Sequence, residues 1–313
     1  MNDPRICSYA APSRRNAWLL ALAAAAALFA SCKLDGPARG ARPDILPGTV
    51  GELVVAVADT GTGMSASPSP DGKRIAVAAQ GALWVMPAGG GRAVRISDSR
   101  LQPAAPAWSP DGKRIAFQNY APEGHYHLWT IEPDGRGARA LTSGPNDDRE
   151  PAWLPDGSGL VFASDRSNDG QYKLWRVALP GAPPVRITSG PGAEGSPAIS
   201  PDGAWLAYVD GANVMMVALD GGDPAMVGPG SAPAWAPGTG GLIYQNATGQ
   251  LVVGGVQVTR DELVLPMAVR FLPNGRFLYM VDGKIRTRDA KGGDPADIAF
   301  RAGARAHRPA SQG

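Results

Sequence analysis

The chain has 313 residues, 44% of them hydrophobic, with 41 glycines, 30 prolines and 30 basic against 28 acidic side chains. The glycines and prolines fall in periodic turns, which excludes a low-complexity or disordered chain and points to turn-dense β structure. No basic stripe with interleaved aromatic residues is present, so nucleic acid is not an expected partner.

Residues 1–32 read as an export signal. Arg5, Arg14 and Arg15 precede an apolar run over residues 17–30, which ends in small residues before Cys32. The run is shorter than the ~20 residues a membrane span needs. Its ending, Phe29-Ala30-Ser31-Cys32, resembles the lipobox of bacterial lipoproteins, which implies cleavage before Cys32 and its lipidation. A plain signal peptide and an uncleaved anchor are the alternatives. Lys33, with no aspartate in its place, implies the outer membrane. The two cysteines are Cys7, inside the signal, and Cys32, so the mature chain is expected to hold no disulfide. Removing three arginines and one aspartate with residues 1–32 leaves 27 basic against 27 acidic residues. Residues 33–48, rich in glycine and proline, suit a flexible tether.

From there the chain repeats itself. SPSPDGKRIAVA (67–78), PAWSPDGKRIAF (106–117), EPAWLPDGSGLVFA (150–163) and SPAISPDGAWLAYV (196–209) are followed by two worn copies, APAWAPGTGGLIYQ (232–245) and VRFLPNGRFLYMV (269–281). The anchoring prolines, Pro70, Pro110, Pro155, Pro201, Pro237 and Pro273, are spaced 36 to 46 residues apart, a period that suits a four-stranded propeller blade. Within each unit a short apolar segment enters a Ser-Pro-Asp-Gly turn, and an alternating stretch such as Arg114-Ile115-Ala116-Phe117 reads as a strand with one buried face. Two further strands follow, as in HLWTI (127–131) and ARALT (138–142). Such a sheet cannot bury both faces alone, and stacking six of them around an axis solves that problem. The expectation is therefore an all-β, six-bladed propeller of four-stranded blades over residues 49–302, with a disordered tail at 303–313. Residues 52–57 (ELVVAV) have no unit of their own and are expected to close the ring by pairing with residues 297–300 (DIAF). Trp108, Trp153, Trp235 and Phe271 share one register and Trp84, Trp129 and Trp175 another, with Met215 in the fourth unit; such recurrence points to packing between blades.

Unit lengths differ mainly in loops. The link between second and third strands is long in unit 2 (residues 119–126) and unit 3 (residues 164–171). With the charged link between these units, residues 144–150, they are expected to share one rim, where function tends to sit. The candidate binding residues there are Tyr120, Glu123, His125, His127, Asp147, Asp148, Arg149, Glu150, Asp165 and Arg166. Arg149 and Arg166 would offer bidentate contacts, and Tyr120 and Tyr126 amphipathic area.

The succession SPDGKRIAF, LW, DG and LT resembles the TolB-type, WD40-like propeller repeat of bacterial envelope proteins. That resemblance implies a periplasmic or outer-membrane propeller that binds a protein, peptide or glycan. The opening TGTGMSASPSPDGKRIAV and the close FLPNGRFLYMVDGKIRTRDAKGGDPADIAF are also similar to the propeller half of exported bacterial amidohydrolases. The second resemblance implies, as an alternative, an accessory or truncated propeller whose metal-dependent barrel is absent.

Chemistry weighs less. His125-Tyr126-His127 has the spacing of a metal-ligand pair, yet it lies within a blade, where an ordinary polar hairpin is the better reading. Asp165 and Asp169 imitate half of a calcium loop, but position twelve is Arg176 where a bidentate glutamate belongs. No Gly-x-Ser-x-Gly elbow or phosphate-binding loop is present. The expected function is a non-catalytic, lipid-anchored monomeric scaffold with no cofactor and no metal.

Overall fold

One hydrogen-bonded turn starts units 1, 2 and 4. In the computed structural model, which describes residues 64–302 apart from 168–169 and 239–240, the Ser69 hydroxyl accepts the Arg74 N–H at 2.9 Å and donates to Asp71 Oδ1 at 2.6 Å. The Lys73 N–H donates to the same carboxylate oxygen at 3.0 Å, and Gly72 closes the turn at φ +67°. The same arrangement recurs around Ser109, Asp111, Lys113 and Arg114, and around Ser200, Asp202, Ala204 and Trp205.

Each such turn joins the first two strands of its sheet. The first sheet contains β1 (Ser65–Pro68), β2 (Arg74–Ala79), β3 (Ala82–Pro87) and β4 (Gly91–Arg95). The second is β5 (Pro103–Trp108), β6 (Ile115–Tyr120), β7 (Tyr126–Ile131) and β8 (Arg139–Ala140), and the third β9 (Asp148–Trp153), β10 (Gly159–Ser164), β11 (Lys173–Ala178) and β12 (Val185–Arg186). A seven-stranded sheet follows: β13 (Glu194–Ile199), β14 (Trp205–Asp210), β15 (Asn213–Ala218), β16 (Ala225–Trp235), β17 (Leu242–Asn246), β18 (Leu251–Val253) and β19 (Val256–Gln257). The last sheet is β20 (Arg270–Phe271), β21 (Arg276–Val281), β22 (Lys284–Asp289) and β23 (Ala296–Ile298), and β24 (Phe300–Ala302) adds a fifth strand to the first sheet. No helix occurs among the described residues.

The molecule is an all-β propeller. Apolar clusters join each sheet to the next: Ala76 and Leu83 meet Trp108 and Phe117, Ala107 and Leu128 meet Trp153 and Phe162, and Val161 and Leu174 meet Leu206 and Tyr208. Ala234 and Ile243 meet Phe277 and Tyr279, and Leu278 and Met280 return to Ile75 and Val77 of the first sheet. The second strands therefore bury both faces, not one: Ile75, Ala76, Val77 and Ala78 are all inaccessible. Alternate small and large side chains on β2 let one neighbour approach each face.

Two expectations need correction. Six separate four-stranded sheets do not form among the described residues. Four sheets correspond to single units, while units 4 and 5 share the 11-residue β16 and merge into one sheet. The link between these units is too short to leave the sheet, so the chain runs on through Gly230, where a Cβ would lie 2.3 Å from the Gln245 carbonyl. Residues 297–300 also do not form one closing strand. Ile298 belongs to β23 of the last sheet, and Phe300 begins β24, which runs parallel to β4 with Phe300 opposite Gly91. The expected partner, residues 52–57, and the expected signal, lipidated Cys32, tether and tail all lie outside the described residues.

The tryptophans pack between units as their recurrence suggests. Trp153 Nε1 donates to the Ala107 carbonyl of the preceding unit at 2.9 Å, and Trp235 Nε1 to that of Ala198 at 3.0 Å. Trp84 meets Phe300 of the closing strand edge-on at 6.1 Å.

Candidate functional site

Most of the charged residues named for the rim lie close together, and they are largely engaged with one another. Asp147 sits at the entry to β9; its Oδ1 accepts the Tyr126 N–H at 2.7 Å, and its Oδ2 accepts the Tyr172 hydroxyl at 2.9 Å and Arg149 at 2.5 Å. Burial works to raise the Asp147 pKa but is outweighed by these donors, which hold it below the ordinary carboxylate value. The Arg149 guanidinium lies 4.5 Å from the Tyr126 ring centre and 5.4 Å from that of Tyr172. Burial raises the pKa of the Tyr172 phenol, as does its donation to Asp147. Asp148 is fully buried and pairs at 2.5 Å with Arg166, whose guanidinium also donates to Ser164 Oγ and lies over Phe162 and Trp175. Asp165 Oδ1 accepts the Asp147 N–H at 2.9 Å.

The two histidines diverge. His125 Nδ1 stands 3.9 Å from Asp147, while the buried His127 Nε2 stands 3.4 Å from Glu123. Among the described residues no group of three or more His, Cys, Asp or Glu side chains converges to hold a metal, and Asp169 lies outside them. Tyr120 is 40% exposed and tilts against Tyr126 at 4.9 Å. It is the most open of the candidate aromatic side chains.

Glu150 belongs elsewhere. It lies on β9 one residue past this network and lines a cavity of about 100 Å³ on the propeller axis, together with Ser65, Ser196, Met267, Arg270 and Tyr279. Four inner strands carry the same bulge there, with Ala105, Glu150, Ser196 and Ala232 at φ +48 to +56°, each just before a proline. The Glu150 N–H donates to Gln118 Oε1, and Glu150 Oε2 accepts the Ser196 N–H of the next unit.

Across the channel stands Arg270, on β20, which the sequence reading did not single out. Among the described residues no hydrogen bond or direct ion pair reaches its guanidinium; its electrostatic partner is Glu150. Burial lowers the Arg270 pKa and Glu150 opposes that shift, while the group keeps its charge. A register comparison exposes it: three residues before the anchor proline the other units carry Ser67, Ala107, Ala152, Ala198 and Ala234. One charge stands among five small side chains. Further along the axis a second cavity, about 280 Å³, is walled by Trp108, Trp153, Trp235 and Phe271, and Arg270 lines it as well.

A closed ring of antiparallel sheets with an axial cavity defines a β-propeller. A family model described as the TolB beta propeller domain matches residues 52–260, and the chain belongs to that family. No curated protein matches the sequence. Among solved structures it is similar to a putative TolB from Agrobacterium tumefaciens, at 18% identity over 74% of this chain and 79% of that one, with a TM-score of 0.52. TolB from Acinetobacter baumannii matches at 20% identity over 73% of this chain and 52% of that one, with a TM-score of 0.50. A gluconolactonase from Xanthomonas campestris matches at 14% over 74% and 87%, with a TM-score of 0.58. At these identities the likeness is one of fold. The family match supports the TolB resemblance and does not extend to amidohydrolases.

Proposed function

We propose that this protein is a non-catalytic scaffold of the bacterial cell envelope, a six-unit ring anchored through Cys32, that binds a protein or peptide partner at the axial cavity. On this reading the seven-stranded sheet acts as two blades sharing β16. The observation that carries the proposal is Arg270, a guanidinium in the axial wall that, among the described residues, faces Glu150 and has no direct hydrogen-bond or ion-pair partner. Arg270 is only partly exposed, and a partly desolvated charge without hydrogen bonds is costly to the free protein. A carboxylate from an entering segment would supply the missing bidentate contact, and Glu150 would reject a second acid placed on its own side. The left-handed bulges around the same cavity hold backbone strain where a partner would insert. The rim of units 2 and 3, with Tyr120 exposed beside the Arg149 network, would border the entrance.

The test is affinity capture from envelope extract with wild-type protein and with Arg270→Gln. Recovery of a specific partner should fall at least about tenfold in the variant. Equal recovery of every partner by both proteins would refute the axial site.

A further inference from the structure

Further along the axis from the Arg270 cavity, three units end their inner strand in a tryptophan: Trp108, Trp153 and Trp235. At each junction the start of the second strand of the preceding unit supplies a residue to the ring's surroundings. Its place is fixed by a backbone N–H held on the turn serine: Arg74 on Ser69 at 2.9 Å, Arg114 on Ser109 at 2.9 Å and Trp205 on Ser200 at 2.8 Å. In the first two cases the chain covers its own indole with a cation. The Arg74 guanidinium lies 4.8 Å from the Trp108 ring centre, and that of Arg114 lies 5.2 Å from Trp153.

The third junction keeps the platform and loses the cation. Trp235 is tied to the Ala198 carbonyl as Trp153 is tied to that of Ala107. Trp205 stands where the arginine would be. It remains 42% exposed and, with Trp235, Pro201 and Met216, lines an open cleft of about 520 Å³ beside Asp202. The surrounding charge is one-sided. Between Arg186 and Arg260 the sequence holds no lysine, arginine or histidine, but five acids: Glu194, Asp202, Asp210, Asp220 and Asp223. Asp202, Asp220 and Asp223 are exposed. Asp202 is in the β13–β14 turn and Asp220 and Asp223 are in the β15–β16 turn, both at this end of the sheet.

We propose that this cleft receives an arginine side chain from a protein partner, whose guanidinium packs against the Trp205–Trp235 wall and supplies the cation that Arg74 and Arg114 supply at the sister junctions. Two indoles line the cleft, Asp202 adds a carboxylate to its wall, and the surrounding acids steer a basic segment toward them. A tryptophan platform and an arginine are the side-chain types most often found at the energetic centre of protein interfaces. The site shares no residue with the Arg270 cavity, so either proposal can fail without the other.

The test uses the purified full-length chain with tryptophan labelled for indole NMR. The probe is acetyl-Gly-Arg-Gly-amide, compared with its citrulline counterpart, a neutral isostere, and with maltose. The arginine peptide should move the Trp205 and Trp235 signals selectively, and the citrulline peptide should bind about tenfold more weakly. Trp205→Arg should abolish the response while melting at or above the wild-type temperature, because the chain then covers its own platform as it does twice already. Trp205→Ala should weaken binding in a protein that is still folded. Equal binding of the citrulline peptide, a response to maltose alone, no response at millimolar peptide, or an undiminished response in Trp205→Arg would each overturn the proposal.

Discussion

At the scale of single residues, the repeat is a device for making one turn, and that is why it is so readable. Serine accepts one backbone N–H and donates to aspartate, aspartate accepts a second N–H, and glycine supplies the positive φ. Each role demands a residue type, so the pattern survives where neighbouring positions drift. Hydrogen bonds from Ser69, Ser109 and Ser200 hold Asp71, Asp111 and Asp202 below the ordinary carboxylate pKa of 3.8. A carboxylate with a depressed folded pKa adds stability above its unfolded pKa, and the addition is lost as pH falls through the folded value. The melting temperature should therefore stay level down to about pH 4 and fall below it, and Asp111→Asn should flatten that acid limb; an unchanged limb would refute the role of the turn. Arg270 is different in kind. No local rule marks it, because its meaning comes from standing opposite Glu150 across a ring that only the assembled fold creates.

Among the strands, the first strand of each unit is where sequence reasoning falls short. A residue preceding proline is biased toward extended backbone, so Ala105-Pro106 and its equivalents read as continuous strand. The structure bulges there instead, with Ala105 at φ +48° and the register slipping between Ala104 and Ala107. The bulge bends the inner strand around the axis and turns Glu150 into the channel rather than onto the rim where its neighbours in sequence lie. Because a left-handed non-glycine residue carries strain of about 1–2 kcal/mol, Ala105→Gly should leave stability unchanged or raise it. Ala105→Val, β-branched at positive φ, should cost about 1–2 kcal/mol in urea denaturation. If valine is tolerated as well as glycine, the bulge is not strained. The fused sheet was equally hidden: two worn repeats only 36 residues apart still look like two units, and nothing local announces that β16 runs through both.

For the whole molecule, the period of the repeats implied a ring, and the ring is present, but its closure was legible only in part. The C-terminal segment does meet the first sheet, as parallel β24 beside β4, with Phe300 against Trp84. A three-residue strand carries too little pattern to reveal its partner in advance. The candidate rim was legible as a concentration of charge, while its internal pairing was not, since sequence lists Asp147, Asp148, Arg149 and Arg166 without saying which meets which. The partner site proposed for the assembled ring is the Arg270 cavity on its axis. The decisive measurement places a photo-crosslinking residue at Met267, in the wall of the Arg270 cavity, and irradiates cells carrying the protein. A discrete crosslinked partner that disappears with Arg270→Gln is the predicted result; no crosslink from Met267, or one that persists undiminished in the variant, would contradict it.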